Sequence, residues 1–453
     1  MGEMVKNPDP DKALNNLERF LSSLGARSSY YALLYENPHV LKTLVHLFGT
    51  SDFLSNSLIN RPEILDSLLL YGSARIQKQK DEIRYELECA LEGVDDYEEI
   101  LEVIRQFRHV EVLRVGINDI AGELSLEEVT AQLSDIADVC VEKAMEISWK
   151  NLTETYGFPE GEDGKSTFLI LGMGKLGGRE INYYSDLDLI FIYSSSGETK
   201  GGVKSISNHE FFTKLAQRII SFLSMRTRSG ILYQIDTRLR PSGNAGPLVS
   251  SLSSFEGYHS KSSWLWERFA LLKARPVAGD PVLGEKVREI IENFVFLRPV
   301  KREDLREIDH LRRRMELELA REGGGKYNIK VGKGGIVDVE FIIQALQILH
   351  GKDDTEMRNT NSFRLLNLLQ RREYLAAKDA KVLMDGYYFL RCLENRLRLL
   401  HDRSLDEIEA GGEGLVSIAK SMGYKDEKVL LQDYASYTDH IRRIYTEIFQ
   451  INI

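Results

Sequence analysis

Apolar residues recur at helical spacing along most of the chain. Residues 11–70 contain amphipathic stretches such as KALNNLERFLSSL and HVLKTLVHLF, separated by turn signals such as Asn37-Pro38. The same pattern continues through residues 81–150, where LEEVTAQLSDIADVCVEKAMEISWKNL predicts one long helix. Apolar stripes of this kind usually cover a core, so these helices indicate a packed scaffold more than a partner-docking module.

The pattern changes near residue 157, where short strand-like runs replace the helical spacing. TFLILGM, DLDLIFIY and ILYQIDTRLR predict strands, and the helical NHEFFTKLAQRIISFLSM separates the last two. From about residue 300 the chain is helical again, with short connections typical of an antiparallel bundle. We therefore predict a mostly helical α+β protein with an N-terminal helical region (1–125), an α/β domain with a leading helix (126–300) and a C-terminal helical bundle (301–453).

Composition narrows the class of protein. The chain has 453 residues, of which 43% are hydrophobic and 28% charged, enough for two or three domains with buried cores. Three widely separated cysteines indicate neither a disulfide framework nor a zinc site. With no export signal and no apolar run of about 18 residues, we expect a cytoplasmic protein without a membrane span. The net charge of -10 argues against nucleic acid as a partner.

The most informative acidic residues are Asp186 and Asp188. They are two positions apart, so on a strand both carboxylates face the same side, close enough to share a hard cation such as Mg²⁺. Such triplets are common, however: with 69 acidic residues among 453, roughly four acid–apolar–acid triplets arise by chance. The pair therefore indicates a metal site only in combination with the neighbouring motifs.

A glycine-rich loop comes shortly before this pair. Its glycines, which let backbone N–H groups approach a phosphate, are Gly172, Gly174, Gly177 and Gly178. Lys175 and Arg179 accompany them and are placed to reach a polyphosphate. The run also matches the G-x-G-x-x-G dinucleotide fingerprint, but only eight residues, 178–185, separate it from the acidic strand. That distance is too short for the helix of a dinucleotide-binding unit, so we reject this interpretation.

A third carboxylate is supplied by ILYQIDTRLR. As a strand, this segment would place Gln234, Asp236, Arg238 and Arg240 on one face. An acid beside two arginines suits a two-metal phosphoryl-transfer site, where the acid completes the metal site and the guanidinium groups stabilise phosphate charge. For this segment alone, a structural Asp–Arg ion pair on an edge strand is an equally good interpretation.

In combination, these segments resemble the bacterial glutamine synthetase adenylyltransferase family. The resemblance rests on LGMGKLGGREINYYSDLDLIFIY, SGILYQIDTRLRPSGNAGPLV, WLWERFALLKARPVAGD and IKVGKGGIVDVEFIIQ, in this order. It implies a polymerase-β-like nucleotidyltransferase core and a family whose enzymes carry two related halves. One half transfers AMP from ATP to a tyrosine of glutamine synthetase, and the other removes AMP with phosphate as the acceptor.

The chain contains one catalytic unit, and its sequence is closer to that of the adenylylating half. The points of likeness are Ser229 to Tyr233, Arg240 to Gly243 and Gly334 to Asp338. The half that removes AMP tends to have arginine at the position of Asp338. The resemblance further implies glutamine synthetase as the protein substrate and a PII-type nitrogen signal protein as a partner.

By the same resemblance, Asp186, Asp188 and Asp236 are the catalytic, metal-binding aspartates. The residues that we expect to contact the nucleotide are Gly174, Lys175, Gly177, Gly178, Arg179, Ser185, Arg238, Arg240 and Lys330. The segment around Lys330 and Lys333 has a second interpretation that is equally acceptable, a glycine turn that opens a helix.

We expect in-line transfer of AMP from ATP to a protein tyrosine hydroxyl, without a covalent enzyme intermediate. Two Mg²⁺ or Mn²⁺ ions are expected to assist, and Asp236 is expected to help deprotonate the hydroxyl. Three alternatives remain open. They are phosphorolysis of adenylylated glutamine synthetase, a related transferase with another nucleotide or target, such as uridylylation of a signal protein, and a non-catalytic module that binds nucleotide or a nitrogen-signalling protein.

Overall fold

The protein is α+β and mostly helical, as the sequence predicts. The computed structural model describes residues 7–24, 27–62, 65, 76–162, 164–227, 230–401, 404–412 and 414–452. The helical prediction for residues 11–70 therefore falls partly outside the described residues, at 25–26, 63–64 and 66–70.

Helices fill the described chain before the first strand. They are α1 (Pro10–Ser23), α2 (Arg27–Glu36), α3 (Pro38–Thr50), α4 (Asp52–Asn60), α5 (Lys80–Ala90), α6 (Tyr97–Ala121) and α7 (Leu126–Tyr156). At the starts of several of these helices, polar side chains accept hydrogen bonds from N–H groups that lack a partner within the helix. Asp96 accepts from the backbone of Glu98 and Glu99, and Ser125 and Glu128 form a capping box at the start of α7.

Residues 157–279 form an α/β unit, as far as the structure describes them. Its strands are β1 (Gly157–Gly161), β2 (Gly164–Lys165), β3 (Phe168–Gly172), β4 (Leu187–Tyr193), β5 (Gly197–Gly201), β6 (Ile235–Asp236), β7 (Val249–Ser251) and β8 (Arg275–Gly279). Its helices are α8 (Gly174–Gly177), α9 (Asn208–Ser224), α10 (Leu252–Lys261) and α11 (Leu265–Leu271). In the central sheet the order is β6–β4–β3–β8, and β3 is antiparallel to both of its neighbours. A smaller antiparallel sheet has the order β2–β1–β5.

One edge of the central sheet is interrupted. β6 pairs in parallel with the start of β4, with Asp236 opposite Asp188, and β7 pairs in parallel with its end. The prediction that Gln234, Asp236, Arg238 and Arg240 share one strand face is therefore wrong, because the strand ends at Asp236. The reason is local: Asp236 Oδ1 accepts a hydrogen bond from the Arg238 backbone N–H at 2.8 Å, which turns the chain out of the sheet.

The remaining described residues are mainly helical and form the C-terminal bundle. Its elements are α12 (Pro281–Glu292), α13 (Arg302–Met315), β9 (Lys326–Asn328), α14 (Ile336–His350), α15 (Ser362–Arg371), α16 (Ala377–His401), β10 (Glu407–Glu409), α17 (Leu415–Ser421) and α18 (Glu427–Asn452). Strands β9 and β10 pair as a short antiparallel ribbon. None of the described helices has both the length and the apolar run needed to cross a bilayer.

The central sheet lies between the two helical regions. On one face of β4, Leu189 and Phe191 join the core that the N-terminal helices and α9 contribute to. On the other face, Ile190 and Ile192 join the core of the C-terminal bundle. A strand that is apolar on both faces is typical of burial between two layers, and β4 is buried in this way.

Buried charges join the α/β unit to the bundle. The carboxylate of Glu180 is completely buried and accepts hydrogen bonds from Lys273 Nζ at 2.8 Å, the Ser362 backbone N–H at 2.5 Å and the Tyr387 hydroxyl at 3.3 Å. Arg391 donates to the backbone oxygen of Glu180 at 2.7 Å. Buried charges are tolerated when they are paired and hydrogen-bonded in this way, so the contact fixes the seam between the two regions.

Replacement of Glu180 with alanine should lower the free energy of unfolding by about 3–5 kcal/mol, because Lys273 stays buried without its closer carboxylate. Urea unfolding followed by circular dichroism measures the change. Glu285→Ala is the matched control: it breaks an exposed pair with Arg288 and should cost less than about 1 kcal/mol. Equal losses from the two substitutions would contradict the role given to the buried contact.

Candidate active site

Three aspartates meet where β4 begins. Asp186 directly precedes the strand, Asp188 is its second residue, and Asp236 lies opposite Asp188 in the parallel pairing with β6. The backbone N–H of Met173 donates to the backbone oxygen of Asp188 at 2.9 Å, which ties the glycine loop to the acidic strand. The sheet thus brings together carboxylates that are about 50 positions apart in the chain.

The negative charge at this point is only partly compensated. Burial, followed by the charges of Asp236 and Asp186, raises the pKa of Asp188 to about 6. Burial and the charge of Asp236 also raise the pKa of Asp186. Among the described residues, neither Asp186 nor Asp188 forms an ion pair, so both keep oxygen atoms free to bind a cation.

The third carboxylate has a cationic partner. Arg238 Nε donates to both oxygens of Asp236, at 3.0 and 2.8 Å, and this hydrogen bonding lowers the pKa of Asp236. Within the described ranges, no group of three or more His, Cys, Asp or Glu side chains is arranged to hold a metal ion. Asp186 and Asp188 nevertheless offer the oxygen donors that a hard divalent cation prefers, and Asp236 would complete the set if Arg238 were displaced. The donors present fit such a cation.

The glycine loop packs tightly against these acids. Gly174 has a φ of +53°, and a Cβ atom there would lie 2.9 Å from Asp188 Oδ2. At Gly177 a Cβ atom would lie 1.6 Å from the backbone oxygen of Lys273. Both positions thus need glycine. The loop continues into α8, a single helical turn, and the described structure has no long helix here, which agrees with the rejection of a dinucleotide-binding unit.

Lys175 has a different environment from the one expected. Its Nζ lies 2.6 Å from Glu394 Oε1 on α16, rather than standing free beside the loop. Burial lowers the pKa of Lys175 to about 7, with help from Arg398 and Arg391 and against the effect of Glu394. The lysine therefore connects the glycine loop to the bundle, and a nucleotide contact would require it to leave this pair.

Other predicted nucleotide contacts are also engaged within the protein. Arg179 pairs with Asp135 of α7 at 2.8 Å. Arg240 donates to the backbone oxygen of Thr237 at 2.8 Å, within the loop that follows β6. The Ser185 hydroxyl is hydrogen-bonded to the side chain of Asn182, and Gly178 follows α8. Their assignment to the nucleotide stays a prediction.

Besides Arg238, two further cations act electrostatically on the acidic cluster. Lys330 lowers the pKa values of Asp186 and Asp188, and its own Nζ lies 3.8 Å from Asp406. Arg398 of α16 acts on Asp186 in the same way. Nothing in the sequence singled out Arg398, although it lies one helical turn after Glu394, with which it pairs at 2.9 Å.

Asp338, a point of likeness to the adenylylating half, lies apart from this cluster. It is fully buried, with Arg312 Nε at 2.5 Å, Arg442 Nη1 at 3.0 Å and the Gly334 backbone N–H at 2.8 Å. Its role in the structure is therefore to join α13, α14 and α18. A glycine turn opens α14, as the second interpretation of the segment around Lys330 and Lys333 predicts. Ser229, another point of likeness, lies outside the described residues.

Comparison with known proteins shows which family the chain resembles. Residues 41–290 match the family model described as glutamate-ammonia ligase adenylyltransferase, and residues 309–449 match the model described as GlnD PII-uridylyltransferase. The similar curated proteins are named bifunctional glutamine synthetase adenylyltransferase/adenylyl-removing enzyme.

The protein of Nitrosococcus oceani is 35% identical over 96% of this chain and 44% of its own length. That of Pseudomonas aeruginosa is 36% identical over 87% and 42%, and that of Hahella chejuensis is 32% identical over 94% and 43%. The chain thus spans less than half the length of these relatives. Because the first model covers more than half of the sequence, the chain belongs to the glutamate-ammonia ligase adenylyltransferase family.

Proposed function

We propose that this chain transfers AMP from ATP to a tyrosine of glutamine synthetase and thereby regulates nitrogen assimilation. The observation that carries the proposal is the position of Asp188, which lies against Gly174 on one side and opposite Asp236 on the other. A carboxylate cluster against a glycine turn suits a triphosphate and its cation. The names of the relatives supply the substrate.

Each residue of the site has a separate role in the proposed reaction. Gly174 keeps the approach to Asp188 open, because any side chain there would collide with the carboxylate. Lys330 and Arg238 supply positive charge for the phosphate groups, and Asp236, once released from Arg238, accepts the proton of the acceptor hydroxyl. A divalent cation held by Asp186 and Asp188, such as Mg²⁺ or Mn²⁺, would stabilise the triphosphate charge and lower the pKa of that hydroxyl.

The opposite reaction is the second candidate. The relatives are named for both adenylyl transfer and adenylyl removal, and this chain spans less than half of their length. In this reaction phosphate would attack the AMP–tyrosine bond, the tyrosine hydroxyl would leave with a proton, and ADP would form. A PII-type signal protein is the proposed regulatory partner, supported by the match of residues 309–449 to the PII-uridylyltransferase model.

A labelling assay tests the proposal and its direction. The protein is incubated with unmodified glutamine synthetase, Mg²⁺ and ATP labelled at the α-phosphate, and the label is expected to appear on glutamine synthetase. A parallel incubation contains adenylylated glutamine synthetase and phosphate, and release of ADP there without labelling in the first would assign the removal reaction. Turnover in neither reaction, with glutamine synthetase confirmed as active, would refute the enzymatic proposal.

Asp188→Asn is expected to abolish transfer while the fold is kept. Because burial and neighbouring acids raise the pKa of Asp188 to about 6, its ionised form destabilises the folded state near neutral pH. The variant should therefore be at least as stable as the unchanged protein at about pH 7, with the difference shrinking toward pH 4. Thermal unfolding measures this, and Asp81→Asn, an exposed aspartate on α5, is the control that should keep full activity. A variant with near-normal transfer would sink the assignment.

Gly174→Ala should reduce transfer roughly 10- to 100-fold, because the new methyl group would press on Asp188 and the positive φ would become strained. Initial rates at saturating ATP, with the labelled substrate, measure the loss. Gly257→Ala is the matched control, since this helical glycine of α10 has open space around its missing Cβ and should accept alanine without loss. Equal activity of the two variants would show that the approach at Gly174 is unimportant.

A further inference from the structure

A cavity lined by none of the three aspartates opens beside the segment that supports the glycine loop. It is a crevice of about 790 Å³ between the α/β unit and the C-terminal bundle. Leu171 of β3, Ile291 of α12 and Phe296 contribute apolar side chains, and α15 contributes the opposite wall. This volume falls in the range of small-molecule sites, about 300–1,000 Å³. The crevice is therefore the right size for a small metabolite.

The charge of the crevice is opposite to that of the chain. Five arginines and two glutamates line it, whereas the whole sequence has 59 basic and 69 acidic residues. The arginines are Arg275, Arg288, Arg358, Arg364 and Arg371. A local concentration of guanidinium groups in an acidic protein favours an anionic ligand, because their planar N–H groups match carboxylate and phosphate oxygens.

Two of these arginines have no acidic partner among the residues that the structure describes. Arg275 pairs with Asp138 at 2.9 Å and Arg358 with Glu292 at 2.8 Å. In the part of the chain that the structure describes, Arg364 and Arg371 form no ion pair. They are two helical turns apart on α15, about 10 Å along its axis, and both line the crevice. A ligand that satisfies both must carry at least two anionic groups.

The wall of the crevice also touches the glycine loop. Asn359 and Thr360 line the cavity, and the next residue, Asn361, donates a hydrogen bond from Nδ2 to the backbone oxygen of Gly178 at 3.0 Å. Gln347 Nε2 holds the same segment by donating to the backbone oxygen of Asn359 at 2.8 Å. A ligand in the crevice would therefore contact the segment that supports the loop beside the acidic cluster.

We propose that this crevice is a second binding site, which takes a small polyanion with two or more phosphate or carboxylate groups bridging Arg364 and Arg371. The site is separate from the acidic cluster, which repels anions when no metal is present. Binding here does not depend on the proposed transfer reaction, so the two proposals can fail independently.

Isothermal titration calorimetry with tripolyphosphate and with citrate tests the site, in EDTA and at about 0.15 M salt to suppress weak surface attraction. At least one probe is expected to bind saturably with one site per chain. Tighter binding of tripolyphosphate would identify phosphate as the preferred group, and tighter binding of citrate would identify carboxylate. Saturable binding of neither probe would overturn the proposal.

Variants locate the site. The double substitution Arg364→Gln with Arg371→Gln should weaken binding roughly tenfold or more, since it removes both unpaired cations. Arg313→Gln with Arg314→Gln is the matched control, because it removes the same charge from two exposed arginines of α13 and should change the affinity by less than about twofold. Equal losses in the two double variants would show general charge attraction and overturn the site.

A blocking variant makes the test independent of charge. Asn367 is exposed and lies on the crevice wall between the two arginines. Asn367→Trp keeps every arginine and fills part of the crevice, so it should weaken binding of the same probe at least as much as the double substitution. Circular dichroism of each variant checks that the helices are intact, and unchanged affinity in the tryptophan variant would place the anion elsewhere.

Discussion

The buried carboxylate of Glu180 is the contact on which the arrangement of this protein depends. Glu180 lies two residues beyond Gly178, and its carboxylate accepts hydrogen bonds from Lys273, Tyr387 and the backbone N–H of Ser362. An unpaired carboxylate at this depth would be very costly, so these hydrogen bonds stabilise the contact between the α/β unit and the bundle. The glycine loop is thus positioned by the C-terminal helices as well as by its own sheet.

In the acidic cluster, by contrast, Asp186 and Asp188 form no ion pair with any described residue. There, like charges are close together, and the pKa of Asp188 is raised because burial and two neighbouring aspartates disfavour its ionised form. The cost of holding such a group must be offset by stability elsewhere in the protein. Burial of both apolar faces of β4 in hydrophobic cores supplies this stability. The same concentration of negative charge would attract a divalent cation, whose positive charge would offset the repulsion between the aspartates.

Periodicity and spacing were enough to predict the parts of the fold that depend on local sequence. The long helix α7, the two apolar faces of β4 and the position of Asp186 and Asp188 at its start all follow from residues that are neighbours in the chain. The hydrogen bond from the Arg238 backbone to Asp236 is local too, but it competes with strand pairing, and the pattern of alternating residues does not show which one prevails.

Tertiary pairing accounts for the residues whose environment could not be predicted. Lys175 forms an ion pair with Glu394, more than 200 positions later in the chain, and Arg179 forms one with Asp135. Proximity in the sequence to a glycine loop says nothing about such partners. Arg398 reaches the cluster because α16 packs against the segment before β4, where Arg398 Nη1 donates to the backbone oxygen of Tyr183.

The interrupted edge of the central sheet has a consequence for how this site can diversify. β6 fixes Asp236 against Asp188, and β7 returns the chain to the same strand at Phe191. The loop between them, residues 237–248, therefore starts and ends at anchored points on one rigid strand. Insertions, deletions and exchanges within it can remodel the rim of the site during evolution while the third carboxylate keeps its register.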